Sequence, residues 1–460
     1  MSGRTAGEGA VNDKYLPLTA AQYEIWMATQ LDPNSPKYHV GEYLEIEGLL
    51  DPKLAERAAR QVVSEAEALR ARFVEFGDTV LQYVDDDLDW EFPIVDFSNF
   101  PDPALEAERW MASKIGTALS PERDKLFYFA LLRLAPDKSL WYHSFHHLLI
   151  DGMGMSIVAR RVAELYTAFA TGIEPRPSGF KSLRMLIGED REYRNSKSYD
   201  RDRNFWMGRL AGIAHGSRVL GNSATTGQSV IAQSGQFEEK AWPALLRLAE
   251  SLNVGYPAIL IAAAGIMLHR LTGERDIVLG LPVSARSFSE FAGTPGMVSN
   301  IVPIRLTVCP GMSIGELIYS TSDEVINALR HQRYRAEDIA RDLGVDGGLD
   351  GLFGFHVNFM RFNYSNFFNQ NTSVHNLSIG PIGDLALAIY DRADVDGLYI
   401  DLLANGAVHS QYNTTSHHEL YMRLIRTLAV AADPGCRVGA IDVLGEDERR
   451  RVLVDWNSSG

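Results

Sequence analysis

The chain has 460 residues, 44 Lys+Arg against 59 Asp+Glu, a formal net charge of -15, 46% hydrophobic residues and two cysteines. The hydrophobic fraction excludes wholesale disorder, and Cys309 and Cys436 alone exclude a disulfide framework or a cysteine-based metal cluster, so they read as small core residues. The acidic balance argues against nucleic acid as a main partner, because phosphate binding needs a basic face.

At about 150 residues per domain the length allows roughly three domains, and two large lobes fit equally well. Residues 1–14 are Gly-rich and polar, a flexible start without the apolar stretch of a secretion signal. Leu16–Gln30 reads as a short helix and Gly41–Gly48 as a strand. A long helix is expected over Asp51–Phe73, with Asp51 as cap and Pro52 in the first turn; Leu54, Ala58, Val62, Ala66, Leu69 and Phe73 recur at helical spacing. Strands follow at Val80–Val84, Leu126–Leu134 and Leu140–His146, the last two joined by the turn Ala135-Pro-Asp-Lys-Ser139. A helix from Gly154 to Ala170 ends at Gly172, and Glu174-Pro-Arg-Pro-Ser-Gly179 is the best linker. Beyond it, helices are expected at Asp190–Leu210, Trp242–Leu252, Pro257–Leu271, Ser313–Gln332 and Glu419–Ala432. Strands are expected at Ile277–Val283, Ile301–Val308, Phe353–Phe362 and Leu398–Leu403, and Gly344–Gly351 reads as a flexible connector. The longest apolar run, Ala258 to Leu268, is shorter than the about 20 residues a bilayer needs, so a cytoplasmic protein without a membrane partner is expected. The pattern is α/β, with two lobes of similar kind about one linker.

Of twelve histidines, three cluster: His143, His146 and His147, followed by Asp151-Gly152. A strand that runs into His-His-x-x-x-Asp-Gly and then a helix places titratable groups at a strand end, where sites form. With unbroken pleating, His143, Phe145 and His147 face one way and Tyr142, Ser144 and His146 the other. His146 and His147 therefore serve one small substrate only if the strand has ended. A histidine with a reference pKa of about 6.5 is suited to moving a proton or holding a nucleophile at neutral pH. Each of the three has a plain structural reading beside the functional one. Asp151 has three open roles: to orient a histidine, to cap the next helix, or to hold a distant cation. Gly152 permits close backbone approach. His143, His147 and Asp151 have the donor types of a metal site, but no second cluster at ligand spacing supports one, and no metal is expected. His417-His418 lacks the aspartate, Met422 standing in its place, and reads as surface or structural. No phosphate-binding G-x-x-x-x-G-K loop and no G-x-S-x-G elbow occurs.

His146-His-Leu-Leu-Ile-Asp-Gly152 resembles the active-site motif of the condensation domains of nonribosomal peptide synthetases. Leu18-Thr-Ala-Ala-Gln-Tyr-Glu-Ile-Trp26, Glu67-Ala-Leu-Arg-Ala-Arg-Phe73, Gly296-Met-Val-Ser-Asn-Ile-Val-Pro-Ile-Arg305 and His331-Gln-Arg-Tyr-Arg-Ala-Glu-Asp338 resemble further motifs of that family, in its order. Leu453-Val-Asp-Trp-Asn-Ser458 is similar to the lead-in of a following adenylation domain.

The resemblance implies two chloramphenicol acetyltransferase-like lobes in a V around a central tunnel. It divides the chain into a flexible 1–14, an N-terminal lobe 15–178, a C-terminal lobe 179–448 and a lead-in 449–460. Donor and acceptor carrier proteins would deliver acyl and aminoacyl thioesters on phosphopantetheine arms, with no tightly bound cofactor, and the acceptor amine would attack the donor thioester. By the same resemblance His147 is the catalytic histidine, His146 its supporting neighbour, and Gly152 the glycine whose N–H faces the reacting centre. Asp151 is structural, with Arg286 in Gly280-Leu-Pro-Val-Ser-Ala-Arg286 as its partner. Asn358, Gly154 and Ser299 fall on the substrate tunnel. Gly154 departs from the serine of many relatives, and Ser299-Asn300 from the usual Val-Asn.

A thioester is already activated, so positioning two arms and excluding water is the main demand, and no serine or cysteine beside His147 indicates an acyl-enzyme. Whether His147 removes a proton or positions the amine is left open. Trp141-Tyr142, His331-Gln-Arg-Tyr334 and Gly380-Pro-Ile-Gly-Asp384 resemble the starter-type domains of catecholate-siderophore synthetases, which implies an aryl or N-acyl donor. If Met1 is the natural start, that donor arrives in trans. Two other classes are a recruitment platform that has lost catalysis, which the intact motif opposes, and a stand-alone coenzyme A-dependent acyltransferase, which the adenylation-like tail opposes.

Overall fold

The computed structural model describes residues 14–213, 215–219, 230–237, 241–286, 290–361, 367, 370–391, 397–430, 433–442, 445 and 450. Nearly all of the 1–14 start and of the 449–460 lead-in lies outside these. The chain forms two compact units, Met1–Lys197 with Ser284–Ser299 and Asn363–Pro381, and Ser198–Val283 with Asn300–Phe362 and Ile382–Gly460. The Glu174–Gly179 stretch lies within the first.

The first unit is built on a five-stranded sheet in the order Asn371–Ser378, His39–Glu47, Lys138–His146, Phe127–Ala135, Ile94–Asp96. Its central strands are antiparallel, with His39 opposite His146 and Glu42 opposite His143. Alternation decides the two faces. Trp141, His143 and Phe145 point into the main core with Leu44, Ile46 and Phe129, where the helices Pro52–Glu65 and Gly152–Thr171 also pack. Tyr142 points to the other face, into a smaller cluster with Ala130, Leu132 and Met111 of the helix Pro103–Ile115. A small sheet of Leu16–Pro17, Thr79–Val84 and Ala71–Phe76 completes the unit.

The second unit carries a six-stranded sheet in the order Asn300–Thr307, Asp276–Val283, Phe355–Met360, Leu385–Tyr390, Leu398–Asn405, Val230–Phe237. Phe355–Met360 runs parallel to Leu385–Tyr390, and the outer pairs are antiparallel. Its central helix is Tyr256–Thr272, in which every residue from Ala258 to Leu268 is buried. A helix apolar on all sides needs such enclosure, and this one has the helices Ile314–Arg330 and Gln411–Val430 against it. No single helix among the described residues is long and apolar enough to cross a membrane.

Three long elements differ from the sequence expectation. The helix expected over Asp51–Phe73 stops at Glu65, because Ala66 turns extended (φ -97°, ψ 95°); a 3₁₀ turn Glu67–Arg70 leads into the strand Ala71–Phe76. Leu69 and Phe73 kept the helical spacing by coincidence: Leu69 lies in the 3₁₀ turn, and the hairpin partner Thr79–Val84 claims the backbone from Ala71. The Asp190–Leu210 helix is two helices, Leu183–Arg194 and Lys197–Arg209, broken at Asn195. The closing helix begins at Gln411 and so contains His417 and His418. Gly348–Leu352, expected as connector, is a one-turn helix, and Cys309 and Cys436 are half-buried.

Candidate active site

The strand Lys138–His146 ends at His146, and the helix Gly152–Thr171 starts six residues later. The pleat is therefore broken at His147, and the two adjacent histidines take different environments. The N–H of His147 donates to the carbonyl of Tyr38 at 2.8 Å, which fixes its backbone against the neighbouring strand. Its Nδ1 lies 3.1 Å from the carbonyl oxygen of Ile150. A carbonyl only accepts, so Nδ1 carries the hydrogen and Nε2 presents a lone pair. His147 is half-buried, and burial lowers its pKa below the ordinary histidine value, with the Ile150 carbonyl and Asp151 opposing. It is a neutral base at pH 7.

His146 is nearly enclosed, and its Nδ1 accepts the N–H of Leu148 at 3.2 Å. Burial, with His147 and His39 nearby, lowers its pKa to about 3, so it stays uncharged. His143 is committed elsewhere: Nδ1 accepts from Trp141 Nε1 at 3.1 Å and Nε2 lies 2.8 Å from Glu42 Oε1, all three residues being fully buried. His143, His147 and Asp151 thus each hold other partners. Among the described residues no group of three or more His, Cys, Asp or Glu has metal-site geometry.

Asp151 settles into two of its three open roles. As N-cap it accepts the Gly154 N–H on Oδ1 at 2.8 Å. Its Oδ2 accepts Arg286 Nη1 at 2.7 Å and the N–H groups of Val298 and Ser299 at 3.0 and 2.8 Å. Arg286 Nη2 donates to the Gly296 carbonyl at 2.8 Å. Burial disfavours the carboxylate, but Arg286 and these N–H donors outweigh it and hold the pKa below the usual carboxylate value. Ser299 contributes here through its backbone.

Gly152 is the first helical residue, so its N–H has no acceptor within the helix. Gly154 is buried, and a Cβ there would lie 2.5 Å from Ile150 Cγ1 and 3.2 Å from the Gly296 nitrogen. A Cβ at that position is accommodated only if Ile150 shifts. Asn358 lies in the second unit, half-buried in the strand Phe355–Met360 opposite Ala388.

Sequence reasoning missed two supports. Gln22 Nε2 donates to the Leu148 carbonyl at 3.0 Å while its amide pairs with that of Gln82, so the first motif holds the active-site turn. In the second unit, Asn300 Nδ2 donates to the carbonyls of Gln332 and Tyr334, and its Oδ1 accepts the Ala336 N–H, clamping the backbone of the His331–Asp338 motif. Gln22 and Asn300 lie inside motifs of the resemblance, the one signal that pointed to them.

A half-buried neutral histidine with a fixed tautomer, beside a helix N-terminus, is chemically able to hold a nucleophile next to developing negative charge. A family model described as the condensation domain matches residues 12–453, and the chain belongs to that family. It is 36% identical over 97% of its length to a dimodular nonribosomal peptide synthase of Bacillus subtilis (strain 168), covering 19% of that protein. It is 37% identical over 93% of its length to an isonitrile lipopeptide synthase of Streptomyces coeruleorubidus, covering 29% of it. For enterobactin synthase component F of Escherichia coli (strain K12) the values are 31%, 94% and 33%. The chain thus spans between 19% and 33% of the length of these relatives. Among solved structures, a starter condensation domain of rhizomide synthetase in complex with C8-CoA superposes with a TM-score of 0.88 at 35% identity, covering 94% of this chain and 98% of that one. Condensation domains of these synthetases form amide bonds by acyl transfer, and the fold is that of the chloramphenicol acetyltransferase-like group.

Proposed function

We propose that this chain joins a donor acyl thioester to the amine of an acceptor aminoacyl thioester, with His147 Nε2 holding the amine. The observation that carries this is the His147–Ile150 contact, which commits Nδ1 and leaves Nε2 as a lone pair at a half-buried position. Attack forms the C–N bond and breaks the C–S bond; the amine proton leaves and the pantetheine thiol is released. Nε2 accepts a hydrogen bond from the amine and is placed to take that proton. The first-turn N–H of Gly152 is the donor offered to the thioester oxygen as charge gathers there. His146 stays neutral and accepts the Leu148 N–H within the turn, which Asp151 with Arg286 holds in place. Ser299 is assigned to the wall of the substrate path.

Donor and acceptor reach the site on the phosphopantetheine arms of two carrier proteins, and an adenylation domain follows. With a net charge of -15, docking of acidic carriers rests on local basic and apolar patches. The donor is of starter type, an aryl or N-acyl group, supported by 35% identity to a starter domain and by the enterobactin synthase relative. Because coenzyme A ends in the same pantetheine arm, a coenzyme A ester is a second donor form, favoured by the C8-CoA complex of that neighbour.

The test is intact-protein mass spectrometry of loaded donor and acceptor carriers with wild type and His147→Ala. Amide product with wild type alone supports the reading; product at the wild-type rate from folded His147→Ala overturns it. Competition between arylacyl- and plain aminoacyl-loaded donors then decides the starter role, which preference for the aminoacyl donor removes.

A further inference from the structure

We propose that Gly380 sets how large a group can stand beside the lone-pair nitrogen of His147, which makes it a residue that determines acceptor size. The inference rests on the reading of His147 given above. The strand Asn371–Ser378 ends with Ser378 opposite Gly41, after an irregularity between Asn376 and Ser378. Two residues later the backbone at Gly380 adopts φ +104°, a region side chains rarely enter. A Cβ built on Gly380 would lie 3.3 Å from His147 Nε2, 3.6 Å from its Cδ2 and 4.0 Å from Val40 Cγ1.

A turn alone does not require that contact. Gly77, Gly172 and Gly273 also have positive φ, and a Cβ on any of them meets nothing within 4 Å. Gly380 is different because its missing side chain borders the one nitrogen of His147 that carries a lone pair. An amine bound there sits about 3 Å from Nε2, within a few tenths of an ångström of the distance the methyl group would take. The acceptor's α-carbon is bonded directly to that amine nitrogen, so its substituent is brought to the same edge of the ring. Glycine at 380 leaves this edge free for a substituted α-carbon; a side chain there leaves room only for a small one.

The experiment compares wild type, Gly380→Ala and Gly77→Ala with glycyl and leucyl thioesters of N-acetylcysteamine as acceptors. Carbethoxylation of His147 by diethyl pyrocarbonate, mapped by mass spectrometry, is followed in parallel. For Gly380→Ala, kcat/KM with the leucyl acceptor should fall about tenfold or more relative to the glycyl acceptor, and His147 should be modified more slowly. Gly77→Ala, which shares only the backbone penalty, should keep the wild-type ratio and labelling rate. Equal losses with both acceptors and unchanged labelling would mean that Gly380 serves the turn alone, and would overturn the proposal. If Gly380→Ala does not fold, wild type still decides, since an unreactive His147 in the folded protein removes the open edge on which the proposal stands. Turnover by His147→Ala would instead defeat the parent reading, a result separate from either outcome at Gly380.

Discussion

Arg286 Nη1 stands 2.7 Å from Asp151 Oδ2, with both side chains almost wholly enclosed. The pair closes a span of 135 residues and ties the turn before the helix Gly152–Thr171 to the Ser284–Ser299 segment of the same unit. Removing one partner leaves the other charge buried alone. We expect Asp151→Ala or Arg286→Ala to lose on the order of 3–5 kcal/mol in urea denaturation. Wild-type stability in either variant would mean the pair is solvated.

Acid sensitivity should come in part from two histidines. Burial lowers the pKa of His39 to about 4 and that of His146 to about 3, whereas both titrate near 6.5 when unfolded. Between these values the unfolded chain binds protons that the folded chain refuses. Stability is then fully present above about pH 6.5 and falls as the pH drops toward 4, by at most about 1.4 kcal/mol per pH unit for each histidine. His39→Gln and His146→Gln should each flatten that slope, measured by chemical denaturation from pH 4 to pH 8.

The pH dependence of turnover carries the matching prediction for His147. Its pKa lies below the ordinary histidine value because of burial, and the role proposed for it needs the neutral form. The acid limb of kcat/KM should therefore fall below about pH 6.5, with no loss of rate from this group as pH rises to 8. A limb centred above 6.5 would place the titrating group elsewhere.

Gln22 is nearly fully buried, and it satisfies the Leu148 carbonyl and the Gln82 amide, which are buried as well. Gln22→Ala should cost about 1–3 kcal/mol and lower turnover, because the active-site turn loses its support. Gln22→Glu should be harsher than Gln22→Ala, since it buries a carboxylate against the Leu148 and Gln82 carbonyl oxygens, which can only accept.

Gly154→Ser should destabilise by about 1–3 kcal/mol through overpacking, as its Cβ would overlap Ile150 Cγ1. Ile150→Ala in the same chain should recover part of that loss in thermal denaturation, by emptying the space the new side chain needs. Additive losses in the double variant would show that the two positions are not in contact.

Much of the local structure around the candidate site was legible in the sequence because its parts are local. A strand, two histidines and an Asp-Gly before a helical period lie within about a dozen positions, and Asp51 and Ser313 cap their helices where the pattern of polar and apolar residues starts. Gly172 and Gly273 end theirs in left-handed conformation for equally local reasons. The helix expected through Phe73 failed where local period and sheet pairing disagreed, and pairing prevailed.

The sequence by itself determined which residue types stand at the strand end, and hence the chemistry available there. Only the tertiary structure decided what each of them does. It turned His143 to Glu42, fixed the hydrogen on His147 Nδ1 through Ile150, and gave Asp151 to Arg286. It also brought Gly380 to the free edge of His147 from more than two hundred positions away. Such contacts follow from strand order and register, which couple distant segments and leave no period in the chain for a sequence to display.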